Sequence, residues 1–293
     1  MTSDGLPPLR DVIREHGLSA RKSLGQNFIM DLNLTGRIAR AAGPFHGRTV
    51  VEIGPGPGGL TRALLSEGAE HLVAIERDER CLPALRQIAD RYPGRLDVWL
   101  EDATLLDIRR LPAGPKLIVG NLPYAVATQL LIGWLCTTPW PPWYESMTLM
   151  FQREVAERIV AKPGGKTYGR LSILAQWLTK PTIAFHLSPE SFTPQPKVSS
   201  SLVRFQPIAQ PAPACSRATL EAVTAAAFGQ RRKMLRSSLK QLTAHAEDLL
   251  ARARVAPEAR AEELSVEDFG RLALALERFS FRWNRGIPKS ADF

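Results

Sequence analysis

Val50-Val51-Glu52-Ile53-Gly54-Pro55-Gly56-Pro57-Gly58-Gly59-Leu60 decides how the rest of the chain is read. A β-branched run passes straight into a glycine-dense turn, and residues 60–66 beyond it carry helical spacing. Glycines at such a turn accept positive φ and let the backbone approach a ligand closely. Outward from this stretch, strand-like runs at 49–53, 72–76, 96–101, 116–120 and 147–151 alternate with amphipathic segments such as 78–91. The alternation predicts βα units around a mostly parallel sheet buried on both faces, a doubly wound, Rossmann-like α/β domain.

Two later β-like runs, 182–187 and 200–205, are joined by a segment too short for a crossover helix, which predicts an antiparallel edge pair. Gln206-Pro207-Ile208-Ala209-Gln210-Pro211-Ala212-Pro213-Ala214 then forbids helix and places the domain boundary after residue 207. Beyond it, 217–229, 231–253 and 266–279 show helical periodicity with no strands between, so residues 208–293 read as a small helical domain.

The chain has 293 residues, of which 44% are hydrophobic and 23% charged, enough for a large core plus a satellite domain. A net charge of +9 favours a polyanionic partner, nucleic acid first, because Lys and Arg near phosphates release counterions. Solubility alone also explains a basic balance, so charge needs a site beside it. Cys81, Cys136 and Cys215 lie far apart with no C-x-x-C pair, and the five histidines have no metal-ligand spacing. No metal is expected. Residues 1–14 lack the apolar core of a signal peptide and no later run is long enough to span a membrane, so a cytoplasmic, non-membrane, monomeric protein is expected.

Glu76, twenty-two residues after Gly54, ends the second strand, where a carboxylate accepts hydrogen bonds from both hydroxyls of a ribose. A nucleoside-containing ligand fits the crevice. Because Gly54, Gly56 and Gly59 satisfy G-x-G-x-x-G, an NAD-dependent oxidoreductase stays a rival reading. Two features favour a methyl donor instead. Glu52 completes E-x-G-x-G, and Glu101-Asp102-Ala103 ends the third strand with acids suited to an adenine amine. Alone, Glu101 and Asp102 read equally well as a solvated loop.

Asn121-Leu122-Pro123-Tyr124 follows the apolar strand 116–120 at the carboxyl edge of the sheet. As a bare tetrad it is an ordinary turn; its place after the fourth strand makes it the candidate catalytic group. An exocyclic adenine amine is a poor nucleophile, since its lone pair is delocalised into the ring. The Asn121 side-chain carbonyl can accept one N6 hydrogen, and Pro123 holds Leu122 extended so that a backbone carbonyl accepts the other. Tyr124 offers a face on which an extruded base stacks.

With these residues assembled, the chain resembles the ribosomal RNA adenine N6-dimethyltransferase family, in its bacterial small-subunit branch. The resemblance spans about 19–279 and is carried by Lys22-Ser23-Leu24-Gly25-Gln26-Asn27-Phe28-Ile29, the Glu52 to Gly56 loop, Glu76, Glu101-Asp102-Ala103, Asn121 to Tyr124, and Phe192-Thr193-Pro194-Gln195-Pro196-Lys197-Val198. It implies a Rossmann-like methyltransferase domain over 1–207, with 1–47 covering the donor, and S-adenosylmethionine as cofactor. It assigns donor contacts to Asn27, Ile29, Gly54, Glu76, Asp102 and Asn121; Gly56 joins them from the glycine turn. It also implies two methyl transfers to each of two adjacent adenines near the end of 16S rRNA, within the immature small subunit. A related branch methylates a single adenine of 23S rRNA and confers antibiotic resistance. Val198-Ser199-Ser200-Ser201 and Phe228-Gly229-Gln230-Arg231-Arg232-Lys233-Met234-Leu235-Arg236 resemble the small-subunit branch instead. Pro57-Gly58-Gly59 departs from the family in being unusually glycine-rich, which is expected to alter loop flexibility more than chemistry.

For RNA, Arg231, Arg232, Lys233 and Arg236 form a basic run in which Arg232, Arg236 and Lys240 share one face at helical spacing. Arg153 and Arg158 open a second basic group flanking Gly164-Gly165, read as a mobile loop beside the cleft. A solvated helix face, with Glu154 and Glu157 for local pairing, is the competing account of the second group. A third view of the whole protein, an assembly factor that chiefly binds immature small subunits, stays open beside the catalytic one.

Overall fold

The computed structural model describes residues 4–21 and 25–284, the stretch 279–284 through its backbone alone. Lys22, Ser23 and Leu24 of the opening motif lie outside the described residues. The chain forms two compact units. The first runs to Ala156 and resumes over Pro181–Pro207; the second takes Glu157–Lys180 and the chain from Ile208 on.

In chain order the first unit opens with α1 (Leu9–Glu15), β1 (Phe28–Ile29), α2 (Leu32–Ala42), β2 (Thr49–Ile53), α3 (Gly59–Ser66), β3 (His71–Glu76), α4 (Leu82–Arg91), β4 (Leu96–Leu100), β5 (Lys116–Gly120), α5 (Tyr124–Leu135) and β6 (Ser146–Gln152). Next come α6 (Arg153–Ile159), α7 (Arg170–Leu178), β7 (Thr179–Leu187), β8 (Phe192–Thr193) and β9 (Ser200–Pro207). Local chemistry sets several of these boundaries. The Asp31 carboxylate accepts from the Asn33 N–H at 2.8 Å and caps α2. Gly58, at φ +88°, turns the chain into α3. β2 and β5 are buried at every position, Glu52 and Lys116 included, as strands in the middle of a two-faced sheet are.

The seven-stranded sheet has the order β4-β3-β2-β5-β6-β9-β7. The pairs β4/β3, β3/β2, β2/β5 and β5/β6 are parallel, and β9 runs antiparallel to β6. The late runs expected to pair are neighbours at this edge, where His186 Nδ1 lies 2.8 Å from Ser201 Oγ. After β2 the chain builds outward to β3 and β4, then returns with β5 on the other side of β2. That reversal opens a crevice at the carboxyl ends of β2 and β5. Beneath it lies a core including Leu64, Leu72, Leu85 and Val119. Each such side chain contributes about 1.5–3 kcal/mol when fully buried.

The second unit begins with Glu157–Lys180 rather than only after Pro207, because that segment bonds to its own helices. Trp177 Nε1 donates to the Pro213 carbonyl at 3.3 Å, and Ile208 N to Leu178 O at 2.8 Å. Its remaining helices are α8 (Arg217–Gly229), α9 (Leu235–Ser238), α10 (Ala246–Ala253) and α11 (Val266–Asn284), around Tyr168, Phe228 and Phe269. Two expectations are corrected here. The run 231–253 is not one helix: Leu235 N bonds to Ala259 O at 2.8 Å and Arg236 N to Pro257 O at 3.1 Å, which limits α9 to four residues. Arg232 therefore precedes the helix and does not share a helical face with Arg236 and Lys240. Within the second unit, Gly164 N donates to Glu262 O at 2.7 Å. Among the described residues no helix is long and apolar enough to cross a membrane.

Candidate active site

The crevice between β2 and β5 is a pocket, and every residue expected in the donor or catalytic set lines it: Asn27, Ile29, Gly54, Gly56, Glu76 and Asp102 on one hand, Asn121, Leu122, Pro123 and Tyr124 on the other. The glycine turn is built as its composition demands. Gly54 and Gly56 have φ of +66° and +56°, and a Cβ on Gly56 would meet the Phe28 ring at 3.2 Å. The extra glycines stand where neighbouring side chains lie close. A Cβ on Gly58 would stand 2.2 Å from Ile88 Cδ1, and one on Gly59 2.9 Å from Leu9 Cδ2.

Glu76 does more than the sequence disclosed. Its Oε2 accepts from Gly56 N at 2.9 Å, and its Oε1 from Arg77 N at 2.9 Å and Asp78 N at 2.8 Å. The carboxylate thereby ties the glycine turn to the end of β3. With about four acceptor sites on a carboxylate, one remains on Oε2 for a ligand hydroxyl. Burial raises the Glu76 pKa, opposed by the three amide bonds. Asp102 accepts from Thr104 N at 2.9 Å and Thr104 Oγ1 at 2.7 Å, bonds that hold its pKa below the ordinary value.

Glu52 is fully buried, lines the pocket, and has neither carboxylate oxygen within hydrogen-bonding geometry of a described partner. Burial pushes its pKa up to about 8; the nearby Thr61 hydroxyl opposes the shift, and the Glu76 charge adds to it.

Asn121 Nδ2 donates to the backbone carbonyl of Asn27 at 3.1 Å. With its amide hydrogens turned that way, its Oδ1 remains as an acceptor. The same bond joins the tetrad to the opening segment, where Gly25 leaves room for Pro123: a Cβ there would sit 3.2 Å from Pro123 Cβ. β1 in turn pairs antiparallel with β8, in the register Phe28 to Thr193 and Ile29 to Phe192, so two distant motifs form one small sheet. Sequence reasoning gave no task to Gln26, whose Nε2 donates to Asp78 Oδ2 at 3.0 Å, or to Ser200, whose hydroxyl meets that of Tyr124. Pairs 52 and 76 residues apart carry no local signal.

Of the basic residues, Arg153 belongs to the first unit and does not line its pocket, while Arg158, Arg231, Arg232, Lys233 and Arg236 belong to the second. Arg231 is engaged within its own unit, to Glu262 Oε2 at 2.6 Å and Gly165 O at 3.3 Å. Arg236 reaches Glu258 at 3.6 Å, while Arg232 and Lys233 are exposed. Among the described residues no group of His, Cys, Asp and Glu is placed to hold a metal.

A mostly parallel sheet with a glycine turn, a buried carboxylate ending β3 and an Asn-Leu-Pro-Tyr edge marks an RNA-adenine methyltransferase class, and a model of the family described as ribosomal RNA adenine dimethylase matches residues 17–278. The chain belongs to that family. It is 62% identical over 271 residues to the ribosomal RNA small subunit methyltransferase A of Xanthobacter autotrophicus, covering 92% of this chain and 94% of the relative. The protein of the same name from Sinorhizobium medicae is 61% identical, over 93% and 98%. Among solved structures, a dimethyladenosine transferase from Plasmodium falciparum shares the fold with a TM-score of 0.72 at 23% identity, over 85% of this chain and 97% of that one. The 23S rRNA methyltransferase ErmE gives 0.67 at 25%, over 86% and 100%.

Proposed function

We propose that the chain is a 16S rRNA adenine N6,N6-dimethyltransferase that uses S-adenosylmethionine, modifies two adjacent adenines near the 3′ end of small-subunit rRNA, and acts on the immature small subunit. The observation that carries the reading is the Asn121 bond to the Asn27 carbonyl, which engages one amide hydrogen, orients the amide and leaves Oδ1 to accept from an amine.

The pocket suits the donor on three grounds: backbone room at Gly54 and Gly56, an acceptor site left on Glu76, and a buried Glu52 with unfilled acceptors. Asn27, Ile29, Gly54, Gly56, Glu76 and Asp102 would hold it, Glu76 at the ribose and Asp102 at the adenine amine. When bound, it supplies an electrophilic sulfonium methyl. The chain's own work is alignment. Asn121 Oδ1 and the Leu122 carbonyl draw the two N6 hydrogens, which localises the lone pair on nitrogen and makes it pyramidal. Tyr124 stacks the extruded base, a contact worth about 1–3 kcal/mol in nucleic-acid sites. Each transfer replaces one N6–H by one N6–CH3, with the proton passing to solvent. Orientation of this kind supplies a large share of a bimolecular barrier.

Arg231, Arg232, Lys233 and Arg236, with Arg153 and Arg158, would contact RNA phosphates and set orientation without reading bases. Arg232 and Lys233 suit this best, being exposed. Calorimetry with S-adenosylmethionine and with NAD tests the cofactor assignment. Heat of binding is expected from the first alone, and binding of NAD without the methyl donor would overturn it.

A further inference from the structure

We infer that Ser200 is a positioning residue that acts through Tyr124 and weighs most on the second of the two methyl transfers; the inference rests on the adenine-dimethylation reading above. Ser200 is completely buried at the start of β9, opposite Gln152 of β6. Its Oγ hydrogen-bonds the Tyr124 hydroxyl across 76 positions of sequence. Tyr124 stands at the first position of α5 with its side chain half-buried in the pocket wall. A tyrosine in that place is held at Cβ by the helix and at Oη by Ser200, so the long axis of its ring is fixed at both ends and cannot tilt.

The neighbouring serines have other tasks. Strand alternation turns Ser199 and Ser201 away from Ser200. Ser201 Oγ lies 2.8 Å from His186 Nδ1, and the Ser199 carbonyl accepts from Arg153 N at 2.9 Å. Only the middle hydroxyl of the three meets Tyr124.

The emphasis on the second transfer follows from counting hydrogens. An unmodified adenine amine offers two N–H groups, one to Asn121 Oδ1 and one to the Leu122 carbonyl. After one methylation a single N–H remains, and the base is oriented by one hydrogen bond plus its stacking on Tyr124. A ring free to tilt therefore costs the second step more than the first.

The test uses the full chain and small subunits lacking adenine methylation, with single-turnover rates for both steps and the ratio of mono- to dimethyladenine as readout. Ser200→Ala is expected to slow the second transfer roughly fivefold, the scale of one lost neutral hydrogen bond, and to accumulate monomethyladenine. Ser201→Ala, which removes a buried hydroxyl bond on the other face, is expected to leave the ratio unchanged. In a Tyr124→Phe background, Ser200→Ala is expected to add nothing. An unchanged ratio in folded Ser200→Ala overturns the inference, as does an equal slowing in the Tyr124→Phe background. If Ser200→Ala fails to fold, Tyr124→Phe alone decides: it keeps the ring and removes the anchor, so a wild-type ratio overturns the inference. Absence of any adenine methylation by the unaltered protein overturns the functional reading itself, which is a separate result.

Discussion

Glu52→Gln offers a perturbation whose size follows from the structure. The carboxyl is buried with no described partner in hydrogen-bonding geometry, and burial pushes its pKa up from 4.5 to about 8. Between those values the folded state keeps a proton that the unfolded state releases, so stability falls as pH rises through the window. At about 1.36 kcal/mol per pH unit, integration from pH 5 to pH 8 gives a loss of roughly 3 to 4 kcal/mol attributable to this one group. Glutamine has nearly the same shape and no proton to lose, so the variant lacks that loss. Glu76 is raised in the same direction and is present in both proteins, so the comparison reads Glu52 together with its coupling to Glu76. The assay is denaturant unfolding of both proteins at half-unit steps from pH 5 to pH 8. The stability difference between wild type and variant is expected to move by several kcal/mol in favour of the variant as pH increases. Parallel stability curves would refute the reasoning and place the Glu52 carboxyl in a hydrated or paired environment.

Three further outcomes are expected. Gly58→Ala puts a Cβ 2.2 Å from Ile88 Cδ1 at φ +88°, and is expected to destabilise the chain by about 1–3 kcal/mol, read as a lower Tm; an unchanged Tm would contradict the packing role. Glu76→Ala leaves three backbone N–H groups without their acceptor and removes the proposed ribose contact; calorimetry with S-adenosylhomocysteine should show affinity reduced by about 10- to 100-fold, and undiminished affinity would remove Glu76 from the donor site. Arg232→Glu, at an exposed position, is expected to weaken binding to small-subunit RNA and flatten its salt dependence by about one unit of slope with Tm unchanged, whereas Arg231→Glu breaks the bond to Glu262 and should lower Tm as well.

The parallel sheet was legible because β2, β3 and β5 are predominantly apolar runs without period-two alternation, a pattern suited to a sheet covered on both faces. Gly54, Glu76 and Asn121 were legible because each ends such a strand at the edge where open α/β sheets bind ligands. What escaped notice depends on distant partners. The Gly56 amide on Glu76, the latch from Asn121 to the Asn27 carbonyl and the Ser200 anchor involve groups with no mutual spacing rule. The break at Arg231 to Met234 was missed for a related reason. Its periodicity is helical, but the backbone bonds of Leu235 and Arg236 go to 257–259 instead of to a preceding turn. Nor does the composition of Pro57-Gly58-Gly59 disclose Ile88 and Leu9 lying against it.

The central claim is that Asn121, latched to Asn27, presents a carbonyl that activates an adenine amine. Its most direct test is methyl incorporation into small subunits lacking adenine methylation, with the modified bases mapped, for wild type and Asn121→Ala. The account predicts dimethyladenine at two adjacent positions near the 3′ end of 16S rRNA for wild type, and a loss of about 10²- to 10³-fold in rate for the variant with its fold intact. Methylation at the wild-type rate by Asn121→Ala, or modification confined to other bases, would contradict it.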